Sequence, residues 1–222
     1  MNEEILRSIT INSHSSIRIA APEEPVIYVD PFHIPNEPHD ADLILVTHPH
    51  FDHFSVDDIA RVRKDDTVFV MPMAMFLTED EKIRGALDAL AFGDSFGMEP
   101  NKAIEVMGVL IESVPSYNVN KPNHLKEFGW IGYLLTISDT HIYIAGDTDV
   151  NSDVKAVRCD VAMVPAGGTY TTDAKEAAEL VNAIGPAVAI PTHYADIVGD
   201  RSCFDVFRAN VDPAIRVEQR IF

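Results

Sequence analysis

The sequence predicts an α/β protein with sheets inside and helices outside. Three observations carry that expectation. The first half is a series of short apolar runs separated by turn residues. The C-terminal third alternates strand-like runs with amphipathic helical spacing. Both halves share one theme, in which strands end in a polar loop that leads into a helix.

Taken in order, strands are expected over 5–11, 16–20, 26–29 and 41–46, with Pro22, Pro25 and the proline-rich 31–38 stretch as turns. Ser55 is placed to cap a helix over 56–62. A strand follows over 67–71 and a helix over 72–84. More strands are expected over 87–92, 103–114, 132–137 and 140–145. The last third reads as a strand at 160–164, a helix at 173–184 stopped by Gly185-Pro186, a strand at 187–190 and a helix at 204–210. No low-complexity linker or fixed-period repeat interrupts the 222 residues, so residues 1–222 read as a single domain.

Composition narrows the classes. At 46% hydrophobic and 23% charged, the chain has an ordinary soluble make-up. No apolar run approaches the roughly 20 residues of a membrane span. Met1-Asn2-Glu3-Glu4 lacks the basic start of a signal peptide, so a cytoplasmic location and no membrane partner are expected. Cys159 and Cys203 form no paired motif and read as free thiols. A net charge of −18, from 35 acidic and 17 basic residues, disfavours nucleic acid as a partner. Oligomeric state is not legible.

The chemistry concentrates in Thr47-His48-Pro49-His50-Phe51-Asp52-His53, which follows an expected strand and precedes the Ser55-capped helix. Imidazole and carboxylate are the groups that bind zinc, manganese or iron without a thiolate. Two later strands also end in a ligand-type residue: 140–145 runs into Gly146-Asp147, and 187–190 runs into Pro191-Thr192-His193. An Asp in a turn is ordinarily a turn former. The three loops together supply six donors: His48, His50, Asp52, His53, Asp147 and His193. Six donors suffice for two divalent metals, with Asp147 placed to bridge them. Zinc is the first expectation, with manganese or iron as alternatives. No G-x-S-x-G elbow occurs, neither cysteine neighbours a His in sequence, and Gly167-Gly168 lacks the Lys of a nucleotide loop.

The order of an H-x-H-x-D-H loop, a Gly-Asp loop and a late His resembles the metallo-β-lactamase-fold hydrolase superfamily. The branch it is most similar to is the small ascorbate-6-phosphate lactonase-like one. His14-Ser15-Ser16, Asp30-Pro31-Phe32 and the segment 165–171 extend the resemblance over nearly the whole chain. It implies a four-layer αββα sandwich with metals at one edge. It assigns His48 and His50 to one metal and Asp52, His53 and His193 to the other, with Asp147 bridging. One departure stands out: Tyr117 occupies the place of a third imidazole for the first metal. His124 is a candidate replacement, although an exposed loop His is an equally good reading of it.

The implied chemistry is a metal-bound hydroxide attacking a small-molecule ester, lactone, amide or phosphodiester. Asp52 would be the catalytic carboxylate that carries a proton, and Tyr117 or a metal would stabilise the oxyanion. His14 and Asp30 are candidates for orienting ligand imidazoles. Iron redox relatives carry Glu at the second His of the motif, so His50 favours hydrolysis. The competing expectation is a metal-binding sensor or degenerate relative with little catalysis, which Tyr117 favours.

Overall fold

Two facing sheets form the centre of the computed structural model, which describes residues 1–222. The first has the order β1 (Ile9–Ser13), β2 (Ser16–Ile19), β3 (Ile27–Val29), β4 (Ala41–Leu45), β5 (Arg63–Pro72) and β6 (Ser95–Met98). The second contains β7 (Ala103–Val106), β8 (Val109–Pro115), β9 (Ile131–Ile137), β10 (Thr140–Ile144), β11 (Val161–Pro165), β12 (Val188–Thr192) and β13 (Arg216–Val217), again in sequence order across the sheet. Each sheet is antiparallel on one side and parallel on the other. Parallel pairing begins at β3–β4 in the first sheet and at β10–β11 in the second.

The layering follows from period-two alternation along the buried strands. In β4, Leu43 and Leu45 face the core between the sheets, while Ile44 and the following Val46 face outward. In β10, Ile142 and Ile144 face inward, whereas Tyr143 and Ala145 face outward. The outward face of the first sheet is covered by α2 (Val56–Val62), α3 (Met73–Phe76) and α4 (Glu81–Leu90). That of the second is covered by α5 (Ser152–Lys155), α6 (Ala174–Ile184) and α7 (Ser202–Asn210). The result is the four-layer αββα sandwich.

Local chemistry explains the helix boundaries. Ser55 Oγ accepts from the Asp58 amide at the start of α2. Asp173 and Glu176 form a reciprocal capping box at the start of α6, and Gly185 closes that helix with φ +66°. Both cysteines are free and half-buried. No helix is long and apolar enough to cross a membrane.

Four expected elements differ. The expected 103–114 strand is a hairpin of β7 and β8 that turns at Met107-Gly108. Residues 3–8 form a helix, α1 (Glu3–Ser8), so only 9–11 of the expected 5–11 strand is extended, as part of β1. Asn2 caps α1 and two glutamates in its first turn favour its dipole. The expected 72–84 helix is two helices, because Pro72 ends β5 and Asp80 starts α4 as its cap. The expected 87–92 strand is largely the end of α4. Ile83, Ala86, Leu87 and Leu90 all pack on the outer core at i, i+3, i+4, i+7 spacing, which is a helical period. The strand in this region lies at 95–98 instead.

Candidate metal centre

The ends of β4, β10 and β12 meet at one edge of the sandwich, where the parallel halves of both sheets release their chains. From the end of β4 come His48, His50, Asp52 and His53. Gly146 turns the chain after β10 with φ +63°, where a Cβ would lie 3.1 Å from Thr47 Cβ. That turn aims Asp147 between the two sheets. His193 follows β12 directly.

Asp147 is the hub. Its Oδ1 lies 3.2 Å from His53 Nε2 and 3.1 Å from His193 Nε2. Its Oδ2 lies 3.8 Å from His48 Nε2 and 3.5 Å from His124 Nε2. Each carboxylate oxygen therefore faces a different pair of imidazoles. Donor atoms of His48, His50, His124 and Asp147 all fall within 4.8 Å of one another, as do those of His53, Asp147 and His193. A third set at the same spacing is His14, Asp52 and His193. The Asp52 Oδ2 stands 3.4 Å from His14 Nε2 and 3.5 Å from both His53 Nε2 and His193 Nε2.

His124 lies in the connection between β8 and β9 and is 2% exposed, so it is not an exposed loop His. It stands in the cluster as a third imidazole beside His48 and His50. Tyr117 does not share the site. Its hydroxyl donates to Asp153 Oδ2 at 2.8 Å, and Lys126 Nζ sits 4.6 Å over its ring. An oxyanion role for Tyr117 therefore has no geometric basis. Its backbone instead braces the Asp147 loop, with its carbonyl accepting from the Asp149 amide.

Asp30 ends β3 and holds the centre from behind. Its carboxylate contacts His53 Nδ1 at 2.7 Å and accepts from the Thr47 amide and hydroxyl. This leaves His53 Nε2 directed at Asp147. His14 sits on the β1–β2 turn. It orients no imbedded imidazole nitrogen by hydrogen bonding, but packs on the His193 ring at 3.7 Å between centroids. Its carbonyl accepts from the His193 amide. Trp130, just before β9, packs within about 5.0 Å of the His48, His50 and His124 rings.

One feature marks this edge as built for a ligand. His14 Nε2, His53 Nε2, His193 Nε2 and Asp147 Oδ1 are buried without a hydrogen-bond partner and face one another around the Asp52 and Asp147 carboxylates. Polar atoms left so, gathered in one place, would be costly without a cation. Nitrogen and oxygen donors of this kind fit a divalent metal.

Charge states follow from burial and neighbours. Burial opposes charging of His53 and His193, yet Asp147 and the other adjacent carboxylates raise both above the usual imidazole value. Burial dominates at His48, which falls well below that value, and brings His124 down to about 4. Burial works against ionisation of Asp147, but His193 and His53 overcome it and hold the carboxyl well below its usual range. A cavity of about 320 Å³ opens onto His50, Asp52, His124, Asp147 and His193.

Residues 8–193 match the family model described as the Beta-lactamase superfamily domain. A metal-dependent hydrolase of Pyrococcus horikoshii is 32% identical over 166 residues, covering 72% of this chain and 69% of that protein. A crystal structure from Parabacteroides distasonis, assigned as a metal-dependent hydrolase, superposes with a TM-score of 0.72 at 27% identity, covering 96% of this chain and 91% of that one. A Thermotoga maritima protein assigned to the zinc-dependent hydrolases of the metallo-β-lactamase superfamily shares the fold, with a TM-score of 0.61 at 20% identity and coverage of 95% and 96%.

Proposed function

The chain belongs to the metallo-β-lactamase superfamily, and from that premise we propose that it is a dinuclear metal-dependent hydrolase of a small molecule. The observation that carries the reading is the division of Asp147, one carboxylate oxygen facing His53 and His193 and the other facing His48 and His124. His48, His50 and His124 would hold one ion, and Asp52, His53 and His193 the other, with Asp147 shared. Bound divalent ions supply Lewis acidity and bring a water's pKa from 15.7 to about 7. Zinc suits this donor set, and manganese or iron would also be accepted.

The protein's own residues do the rest. Asp30 and Thr47 fix the His53 ring so that Nε2 faces inward. The Trp130 ring shields the His48 side of the centre from water. Asp52 is open to the cavity, and although burial opposes its ionisation, His14, His193 and His53 hold its carboxyl well below the usual carboxylate range. It would therefore act as an ionised carboxylate that accepts a proton from water only in passing it to a leaving group. His124 beside Asp147 supports catalysis over the sensor reading, whose motivation was the missing third imidazole.

Metal content per chain tests this directly. Wild type should carry two ions and His124→Ala one, while chelation should abolish turnover and zinc or manganese restore it. Asp147→Ala should lose activity by at least about 10²-fold, in line with the loss of other essential charged groups at reacting centres. Full activity in Asp147→Ala, or no metal under any loading condition, would overturn the proposal.

A further inference from the structure

The walls of the cavity over the metal centre differ sharply from its floor. The floor is imidazole and carboxylate. The walls are Phe51, Tyr170, Ile197 and Val198, with Asn123 the one uncharged polar side chain among them. No lysine or arginine lines the cavity. The cations on the neighbouring loops are engaged elsewhere: Lys121 pairs with Asp149, Lys126 with Asp153 at 2.8 Å, and Arg201 with the Phe222 carbonyl. Asp196, two residues before Val198, adds an acid held by Ser13 and His33.

Phe51 is the most telling of these side chains. It lies within the metal-binding loop between His50 and Asp52, and 68% of it is exposed, with only an edge contact to Phe32 at 6.0 Å. Tyr170 and Ile197 are 46% and 40% exposed. Large apolar groups open to water around a concave polar floor are the pattern of a ligand site awaiting an apolar ligand. An anionic substrate, by contrast, would approach a chain of net charge −18 with no fixed side-chain cation to receive it.

We propose that the cavity accepts an uncharged acyl substrate, an aliphatic ester or lactone carrying a short apolar chain, and discriminates against phosphorylated and carboxylated ones. The inference rests on the hydrolase reading for its chemistry. In that reaction the oxygen of water bonds to the acyl carbon, the acyl C–O bond breaks, and one proton of water ends on the departing alcohol oxygen. The apolar chain lies against Phe51, Ile197 and Val198, while the scissile group lies over the imidazole and carboxylate floor that would hold the ions. At about 320 Å³ the cavity is at the small end for a ligand site, which suits a short chain.

The test uses zinc-loaded protein and separates the two claims. Calorimetric binding of alkyl hydroxamates, whose metal-chelating head is constant, reads the walls alone. From acetyl to pentanoyl, affinity should rise about fourfold per methylene, as for burial of a CH₂. Succinyl hydroxamate, of similar length but ending in a carboxylate, should bind at least about tenfold more weakly than the pentanoyl compound, as expected for an unpaired buried charge. Phe51→Ala should flatten the chain-length series, and Ile197→Lys should reverse the preference between pentanoyl and succinyl. Both side chains are exposed, so both variants should fold. A flat wild-type series, or tighter binding of the succinyl compound, overturns the inference. Turnover of 4-nitrophenyl pentanoate and its lactone counterparts reads the hydrolase claim: absence of turnover with intact hydroxamate selectivity would overturn that claim and leave the cavity assignment standing.

Discussion

At the scale of single residues, the centre combines imidazoles prepared in opposite ways. Burial pushes His48 and His124 towards the neutral form, whereas Asp147 and its neighbours outweigh burial at His53 and His193 and push both towards the charged form in the metal-free protein. Metal ligation requires neutral imidazole, so metal uptake must expel protons from the second pair. Calorimetric titration with zinc at pH 7 in two buffers of different ionisation enthalpy should show roughly one to two protons released per chain. Zero release would contradict the charged pair. The linkage has a definite sign. The raised groups stabilise the metal-free fold fully below about pH 6.5 and lose that contribution as pH rises through their folded values. The lowered groups stabilise above about pH 6.5 and lose it as pH falls towards about 4, the His124 value. Metal-free protein should therefore have its His-linked stability maximum near pH 6.5, and urea unfolding across pH 5–8 in chelator would reveal it. A monotonic rise over that range would contradict the raised pair.

At the scale of elements, the site depends on how closely two loops approach. A Cβ on Gly167, just after β11, would stand 2.1 Å from the His193 carbonyl oxygen and 2.9 Å from Val198 Cγ2. Backbone cannot yield as a flexible side chain would, so Gly167→Ala must displace the His193 turn. The expected cost is about 1–3 kcal/mol, typical of overpacking, with loss of one bound metal. Gly185→Ala is the control. Its Cβ would meet nothing within 4 Å, so only the left-handed backbone of the α6 cap is penalised, by about 1 kcal/mol, with metal content unchanged. Urea unfolding and metal analysis of the two variants would distinguish crowding at the site from a helix-cap effect. Equal metal loss in both would show that the site senses global stability and not this contact.

At the scale of the whole molecule, bound ions would staple one sheet to the other. His48, His50, Asp52 and His53 leave the first sheet, while His124, Asp147 and His193 belong to the second. The staple adds to direct contacts between the sheets, such as the Tyr133 hydroxyl donating to the Val46 carbonyl at 2.6 Å. An ion present at 100 times its Kd stabilises by about 2.7 kcal/mol. For a domain of this size that corresponds to roughly 5–10 °C in Tm per site. Chelation should therefore lower the Tm by at least that amount, read by scanning calorimetry with and without zinc. An unchanged Tm would mean that no ion binds the folded protein in preference to the unfolded chain.

Much of the fold was legible because burial leaves a period in the chain. The alternation of Leu43, Ile44, Leu45 and Val46 between two cores, and the Asp173 and Gly185 caps of α6, are local facts that local chemistry enforces. Residues 87–90 read as strand because the end of an apolar helix face is short enough to pass for one, and 5–8 because no local sign in the sequence shows that the Asn2 cap outweighs an apolar run. The candidates His48, His50, Asp52, His53, Asp147 and His193 stand out in the sequence by residue type at strand ends, and the fold brings all six to one edge. His124 against Tyr117 was not legible, since the two lie seven positions apart on one long connection and only the folded path of that connection decides which enters the site. The same holds for the apolar mouth of Phe51, Tyr170, Ile197 and Val198, drawn from three distant segments. The strand-and-loop pattern and the gathering of imidazole and carboxylate at strand ends are written in residues close along the chain. The third imidazole at His124, the turning of Asp147 towards two sets of donors and the character of the cavity walls arise only on folding, because each is a juxtaposition of loops from distant parts of the chain.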